Sequence, residues 1–147
     1  GNLVTAIAKC CLPVPGDAVP GYVTRGRGFT IHRADCSQVL RWQRENNARL
    51  LQVHWGAKPQ TTYSVSVWVR AFNRRDLIRD ISSVLSASDS MVSDISSRLD
   101  EASDEVTIRL KLRVRDYDQL SALLSRLGGV PNVLEARRVQ EGSVEAH

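Results

Sequence analysis

The sequence predicts an α+β chain built as two units, and three observations carry that prediction. Across residues 63–139, two-residue alternation and three-to-four-residue spacing follow each other in the order β-α-β-β-α-β. All three cysteines and one of the three histidines fall within 27 residues near the start: Cys10, Cys11, His32 and Cys36. Between these regions, Gly56-Ala57-Lys58-Pro59-Gln60-Thr61-Thr62 interrupts the pattern with Gly, Pro and polar residues. The expected organisation is a first unit over 1–56, a linker over 57–62, a second unit over 63–140 and a tail over 141–147.

In the first unit, short strands are expected at Leu3 to Ala8, Gly21 to Thr24, Phe29 to His32 and Leu50 to Trp55. One helix is expected from Asp35 to about Arg44, with Asp35 and Gln38 as an N-cap and N3 pair. So few short elements hold little core, and a bound metal would help such a unit keep its shape.

The second unit is more regular. Tyr63, Val65, Val67 and Val69 alternate with Ser64, Ser66, Trp68 and Arg70, the pattern of a half-buried strand. Leu77, Ile78, Ile81, Val84 and Leu85 follow helical spacing, with Asn73 as the expected N-cap and Asp76 in the first turn. Ser88-Asp89-Ser90 breaks that helix, and Met91 to Leu99 reads as a strand. A turn at Asp100 to Asp104 leads into Val106, Ile108, Leu110, Leu112 and Val114, which alternate strictly with polar residues. Leu120, Leu123, Leu124 and Leu127 mark a second helix, stopped by Gly128-Gly129, and Val130 to Val139 reads as a fourth strand. Two helices on one face of a four-stranded antiparallel sheet, the ferredoxin-like arrangement, is the compact solution. The first and third strands should lie at its centre, with Trp68, Arg109, Lys111 and Arg113 on the open face.

The composition excludes several classes. No apolar run approaches the roughly 18 residues that span a bilayer. No secretory signal is visible, and three cysteines cannot pair completely, so a reducing cytoplasm is expected. The chain does not begin with Met and is expected to be an interior or C-terminal piece of a longer protein. Its formal charge of +4 is uneven. Residues 1–62 hold eight Lys/Arg against three Asp/Glu, and residues 63–147 hold twelve against thirteen. A basic first unit suits a polyanionic partner such as RNA, or is simply a solvated surface.

Thiolate, imidazole and carboxylate are the side chains that hold a borderline dication, and zinc is the expected metal for this set. Cys10, Cys11, His32, Asp35 and Cys36 are the candidate donors. The alternative is structural: one cysteine in the core, Asp35 as a cap and His32 bonded to a backbone carbonyl. No catalytic residue is expected, since no oxyanion loop or substrate pocket accompanies a Cys–His pair. Gly26-Arg27-Gly28 lacks the Lys-Ser/Thr of a nucleotide loop and reads as a tight hairpin. Arg25, Arg27, Arg33, Arg41 and Arg44 are the candidate phosphate contacts.

Three runs carry a resemblance: Ala8-Lys9-Cys10-Cys11-Leu12-Pro13-Val14-Pro15-Gly16-Asp17, Gly21-Tyr22-Val23-Thr24-Arg25-Gly26-Arg27-Gly28 and Ile31-His32-Arg33-Ala34-Asp35-Cys36. Together with the βαββαβ unit that follows, they resemble the C-terminal regulatory part of long RelA/SpoT proteins, the ribosome-associated (p)ppGpp synthetases of the stringent response. Arg33-Ala34-Asp35 is similar to the RelA-like branch. The resemblance implies a zinc-finger-like, ribosome-intersubunit first unit, with metal donors at Cys10 or Cys11, His32, Asp35 and Cys36. It implies docking on ribosomal RNA with an uncharged tRNA, and relief of inhibition in upstream catalytic domains that transfer pyrophosphate from ATP to GTP or GDP. The second unit resembles an ACT domain, which implies a possible homodimer and a ligand loop at Phe72, Asn73, Arg74, Arg75, Asp76 and Leu77. Branched-chain amino acids are the ligands the resemblance suggests. One position departs from the family pattern: Asp76 stands where amino-acid-binding members carry a glycine, and its acid would repel a ligand carboxylate.

Overall fold

The structure, a computed structural model, describes residues 4–24, 28–53 and 61–139. The chain divides into two compact units, one within Gly1–Thr61 and one spanning Thr62–Val139.

The first unit contains β1 (Val4–Ile7), β2 (Pro20–Val23), β3 (Gly28–Ile31), α1 (Ser37–Arg44) and β4 (Leu50–Gln52). Its sheet runs β1-β3-β2-β4. β1 and β3 are parallel, with Ile7 opposite Ile31, and the other pairings are antiparallel. Parallel pairing sets the C-terminal ends of β1 and β3 side by side, so the segments that leave them start as neighbours. At Gly21, a Cβ would come within 2.9 Å of the Phe29 ring and 3.2 Å of Val53, which explains the glycine in β2. On α1, Val39 and Trp42 are buried at helical spacing. Arg41 and Arg44 sit in the last turn, where cations complement the helix dipole.

The expected cap of α1 is corrected by one residue. Cys36 is the N-cap, in extended conformation and without a side-chain cap bond. The Asp35 carboxylate instead receives the Arg33 guanidinium at 2.7 Å.

The second unit contains β5 (Tyr63–Phe72), α2 (Leu77–Ala87), β6 (Met91–Asp100), β7 (Glu105–Val114), α3 (Tyr117–Gly128) and β8 (Val133–Val139). Its sheet runs β6-β7-β5-β8, so the first and third strands of the unit are central, as the ferredoxin-like arrangement predicts. Val65, Val67 and Val69 of β5 and Ile108, Leu110 and Leu112 of β7 are buried with Leu77, Ile81, Leu120, Leu123 and Leu127 of the two helices. Asp116 caps α3 by accepting from the Gln119 N–H at 2.9 Å.

Two boundaries differ from expectation. Asp76 rather than Asn73 is the N-cap of α2, and it lies in the left-handed region at φ 66. The Asn73 N–H is used elsewhere, donating to the Asp104 carbonyl at 2.8 Å. The fourth strand starts at Val133, because the chain first turns through Asn132 at φ 77.

Candidate metal centre

The turn after β1 carries Cys10 and Cys11. The Ala8 N–H donates to the Ile31 carbonyl at 2.9 Å, tying that turn to the end of β3. Leu12, at φ 49, bends the chain away, and its N–H returns to the Ala8 carbonyl at 3.1 Å. His32 follows β3 directly and donates its N–H to the Pro20 carbonyl at 3.0 Å. Cys36 arrives from the start of α1, with its N–H on the Arg33 carbonyl at 3.0 Å. Three separate segments thus converge because one parallel strand pair and one helix N-terminus meet at the same edge of a small sheet.

The donor atoms are close. His32 Nδ1 lies 3.5 Å from the Cys10 sulfur, 3.7 Å from that of Cys11 and 3.7 Å from that of Cys36. The Cys10 sulfur lies 3.9 Å from Cys11 and 3.7 Å from Cys36. All four donors lie within 4.8 Å of one another. A tetrahedral zinc with bonds of about 2.3 Å to sulfur and 2.0–2.1 Å to nitrogen separates its ligands by about 3.8 Å (S to S) and 3.6 Å (S to N). The spacing and the three-sulfur, one-nitrogen chemistry therefore fit zinc.

The surroundings are those of a covered site. Cys11, His32 and Cys36 are buried, and Cys11 and Cys36 share an apolar cluster with Ala8, Val39 and Trp42. Burial pushes the Cys10 and Cys11 thiols up and holds the His32 imidazole down, toward its neutral, ligating form. The Arg33 backbone N–H donates to the Cys11 sulfur at 3.3 Å, which would stabilise a thiolate there. Trp42 meets the His32 ring edge-on at 5.1 Å and stacks on Tyr22 at 3.8 Å, fixing the imidazole plane.

Asp35 is not among the converging donors; it is exposed and paired with Arg33. That pairing also engages the Arg33 guanidinium, whose side chain is 13% exposed. Arg41 and Arg44 are exposed on α1. Arg25 and Arg27 lie outside the described residues. Sequence reasoning missed Trp42, Tyr22 and the Arg33 amide. Trp42 was findable, since Cys36, Val39 and Trp42 fall three apart on one helix face.

In the second unit, the loop after β5 borders a hollow of about 460 Å³, with Asn73, Arg74, Asp76 and Ile78 on one side and Ser97 and Leu99 of β6 on the other. Arg74 reaches the Pro131 carbonyl at 3.0 Å and Asp80 at 2.9 Å. Asp76 pairs with Arg79 at 3.5 Å. Phe72 and Arg75 are exposed, while Leu77 is buried. On the open face, Trp68 lies between Arg109 and Arg137, each guanidinium 5.0 Å from a ring centroid. Both arginines are its register partners on the flanking strands. Arg113 is tied to Thr62 and Ser64.

A βαββαβ sheet with both helices on one face is the architecture of a regulatory ACT domain, and the family model described as ACT domain matches residues 59–138. The model described as RelA/SpoT RIS domain matches residues 1–56. The chain belongs to the RelA/SpoT family, as the C-terminal regulatory region carrying its RIS and ACT domains. It is 38% identical over 138 residues to a GTP pyrophosphokinase of Haemophilus influenzae, covering 94% of this chain and 19% of the relative. It is 34% identical over 139 residues to the bifunctional (p)ppGpp synthase/hydrolase RelA of Mycobacterium tuberculosis, covering 94% and 18%. The chain thus spans about a fifth of the length of these relatives, and its match falls on their regulatory rather than catalytic domains. In fold, a crystal structure of the ACT domain from a GTP pyrophosphokinase of Chlorobium tepidum matches with a TM-score of 0.50 at 20% identity, covering 54% of this chain and all of that one.

Proposed function

We propose that this chain is a regulatory module whose zinc-held first unit docks on ribosomal RNA beside an uncharged tRNA. It passes that occupancy to upstream catalytic domains of a (p)ppGpp synthetase. The observation that carries the reading is the convergence of Cys10, Cys11, His32 and Cys36 to within 4.8 Å of one another inside a unit with an excess of cations. Zinc, when bound, supplies rigidity: it adds to the small core that Ala8, Val39 and Trp42 form around Cys11 and Cys36. Residues of the unit then do the recognition. Arg41 and Arg44 present two charges on a helix whose opposite end carries Cys36, so the metal holds the platform from which they reach phosphate.

The test is fluorescence anisotropy of this chain on ribosomal RNA across a salt series. Binding is expected to weaken linearly in log salt, with a slope of about 0.9 per duplex phosphate contacted. The double substitution Arg41→Glu and Arg44→Glu should flatten that slope by about two contacts. Salt-independent binding, or an unchanged slope in the variant, would refute the RNA role.

A second reading, self-association through β6, is favoured by one observation. All ten residues of this edge strand are exposed, among them Met91, Val92, Ile95 and Leu99. A bare apolar edge invites another strand. Antiparallel pairing of two copies centred on Ser96 would set each Asp94 opposite an Arg98. Sedimentation over a concentration series decides it, and a monomer at all concentrations rejects it.

A further inference from the structure

Cys10 differs from the other sulfur donors in one respect. It is only partly buried, whereas Cys11 and Cys36 are 1% and 0% exposed. A solvent-borne oxidant therefore meets the Cys10 sulfur first. Behind it stand two covered sulfurs, Cys36 at 3.7 Å and Cys11 at 3.9 Å. A disulfide needs about 2.05 Å, so closing the Cys10–Cys36 gap takes roughly 1.7 Å of sulfur travel. Bridging Cys10 to Cys11 instead would close a small ring across a planar trans peptide, which holds neighbouring side chains apart.

We propose that Cys10 is a site of oxidative modification by hydroperoxides, that Cys36 is its resolving thiol, and that closure of the Cys10–Cys36 disulfide discharges the metal. The Cys10 sulfur attacks the peroxide oxygen, giving a sulfenic acid and an alcohol (water, for hydrogen peroxide). The Cys36 sulfur then attacks the Cys10 sulfur, and the sulfenic hydroxyl departs with a proton as water. Two thiols and one peroxide become one disulfide, one alcohol and one water, and two electrons pass to the peroxide. Two of four donors are then withdrawn, leaving Cys11 and His32. Because Cys36 caps α1 and packs with Val39 and Trp42, metal loss would loosen the helix that carries Arg41 and Arg44. The release step rests on the proposed zinc site; the disulfide step rests on the sulfur distances alone.

The experiment adds hydrogen peroxide to the reduced, zinc-loaded chain and reads zinc with a chromophoric chelator. Tryptic mapping follows, in which residues 10–25 and 34–41 form separate peptides. The expected result is one zinc released per cross-link between those peptides, reversed by dithiothreitol with added zinc. In Cys36→Ser, folded or not, a sulfenic acid should accumulate on peptide 10–25 and be trapped by dimedone. A bridge within peptide 10–25, or three thiols still alkylatable under excess peroxide, would overturn the proposal. A chain that never binds zinc yet forms the cross-link refutes the metal reading and leaves the disulfide step standing.

Discussion

Replacing Cys36 by serine tests the metal reading at its most buried donor. The side chain is 0% exposed and its sulfur lies 3.7 Å from both Cys10 and His32. Structural zinc binding in small domains amounts to about 10–16 kcal/mol, or about 3 kcal/mol for each of four donors. Loss of one donor should therefore weaken zinc binding by about 10²-fold. The buried hydroxyl left behind costs about 1 kcal/mol more. In a domain of this size each kcal/mol lowers the melting temperature by about 4–8 °C, so the first unit should melt roughly 15 °C or more below the wild type. The two units have separate cores, so calorimetry should resolve two transitions, only one of which moves. A chelator added to the wild type should move the same one. Identical scans for wild type, variant and chelated protein would show that no metal holds the unit, and the reasoning would fail.

Three further outcomes are expected. Binding through three thiolates must displace three thiol protons, so the log of zinc affinity should climb by about three per pH unit near neutrality, and a flat competition profile refutes it. In the metal-free chain, the lowered His32 adds stability that is present above 6.5 and lost as pH falls through its folded value. The raised thiols add stability that is present below 9.0 and lost as pH rises, so the first transition should peak between those limits in a pH series of melts. At Asp76, whose φ is 66, Asp76→Gly should leave the second transition nearly unmoved while Asp76→Ala costs about 1 kcal/mol. Calorimetry with valine or isoleucine should give no heat in the wild type, because the Asp76 carboxylate borders the hollow.

The second unit was legible because each strand reports its own burial. Val65, Val67 and Val69 alternate with polar residues whatever strand pairs with them, and the sheet order followed from the βαββαβ arrangement, whose first and third strands lie at the centre. What the pattern misplaced were caps. Asn73 and Asp35 are good capping side chains, yet the Asn73 backbone is tied to the Asp104 carbonyl before the helix begins at Leu77, and the Asp35 carboxylate is taken by an ion pair with Arg33. A cap is decided by which neighbour reaches the residue first, and that neighbour can lie far along the chain. The apolar edge of β6 was hidden for a related reason. Its alternation is broken by a register shift between Val92 and Asp94, so no single two-residue pattern assigns one face of the strand to the core.

The first unit was less legible, although the donors themselves stood out. From sequence, a cysteine in the core and a cysteine on a metal are competing explanations. The structure makes them one: Cys11 and Cys36 pack against Val39 and Trp42 and also converge with Cys10 on His32 Nδ1. Because these ligands double as core residues, a metal bound here would couple its binding equilibrium to the folding equilibrium of this unit. Anything that shifts that equilibrium, whether acid on His32 or oxidation at Cys10, acts on the position of α1 and of the cations at its far end.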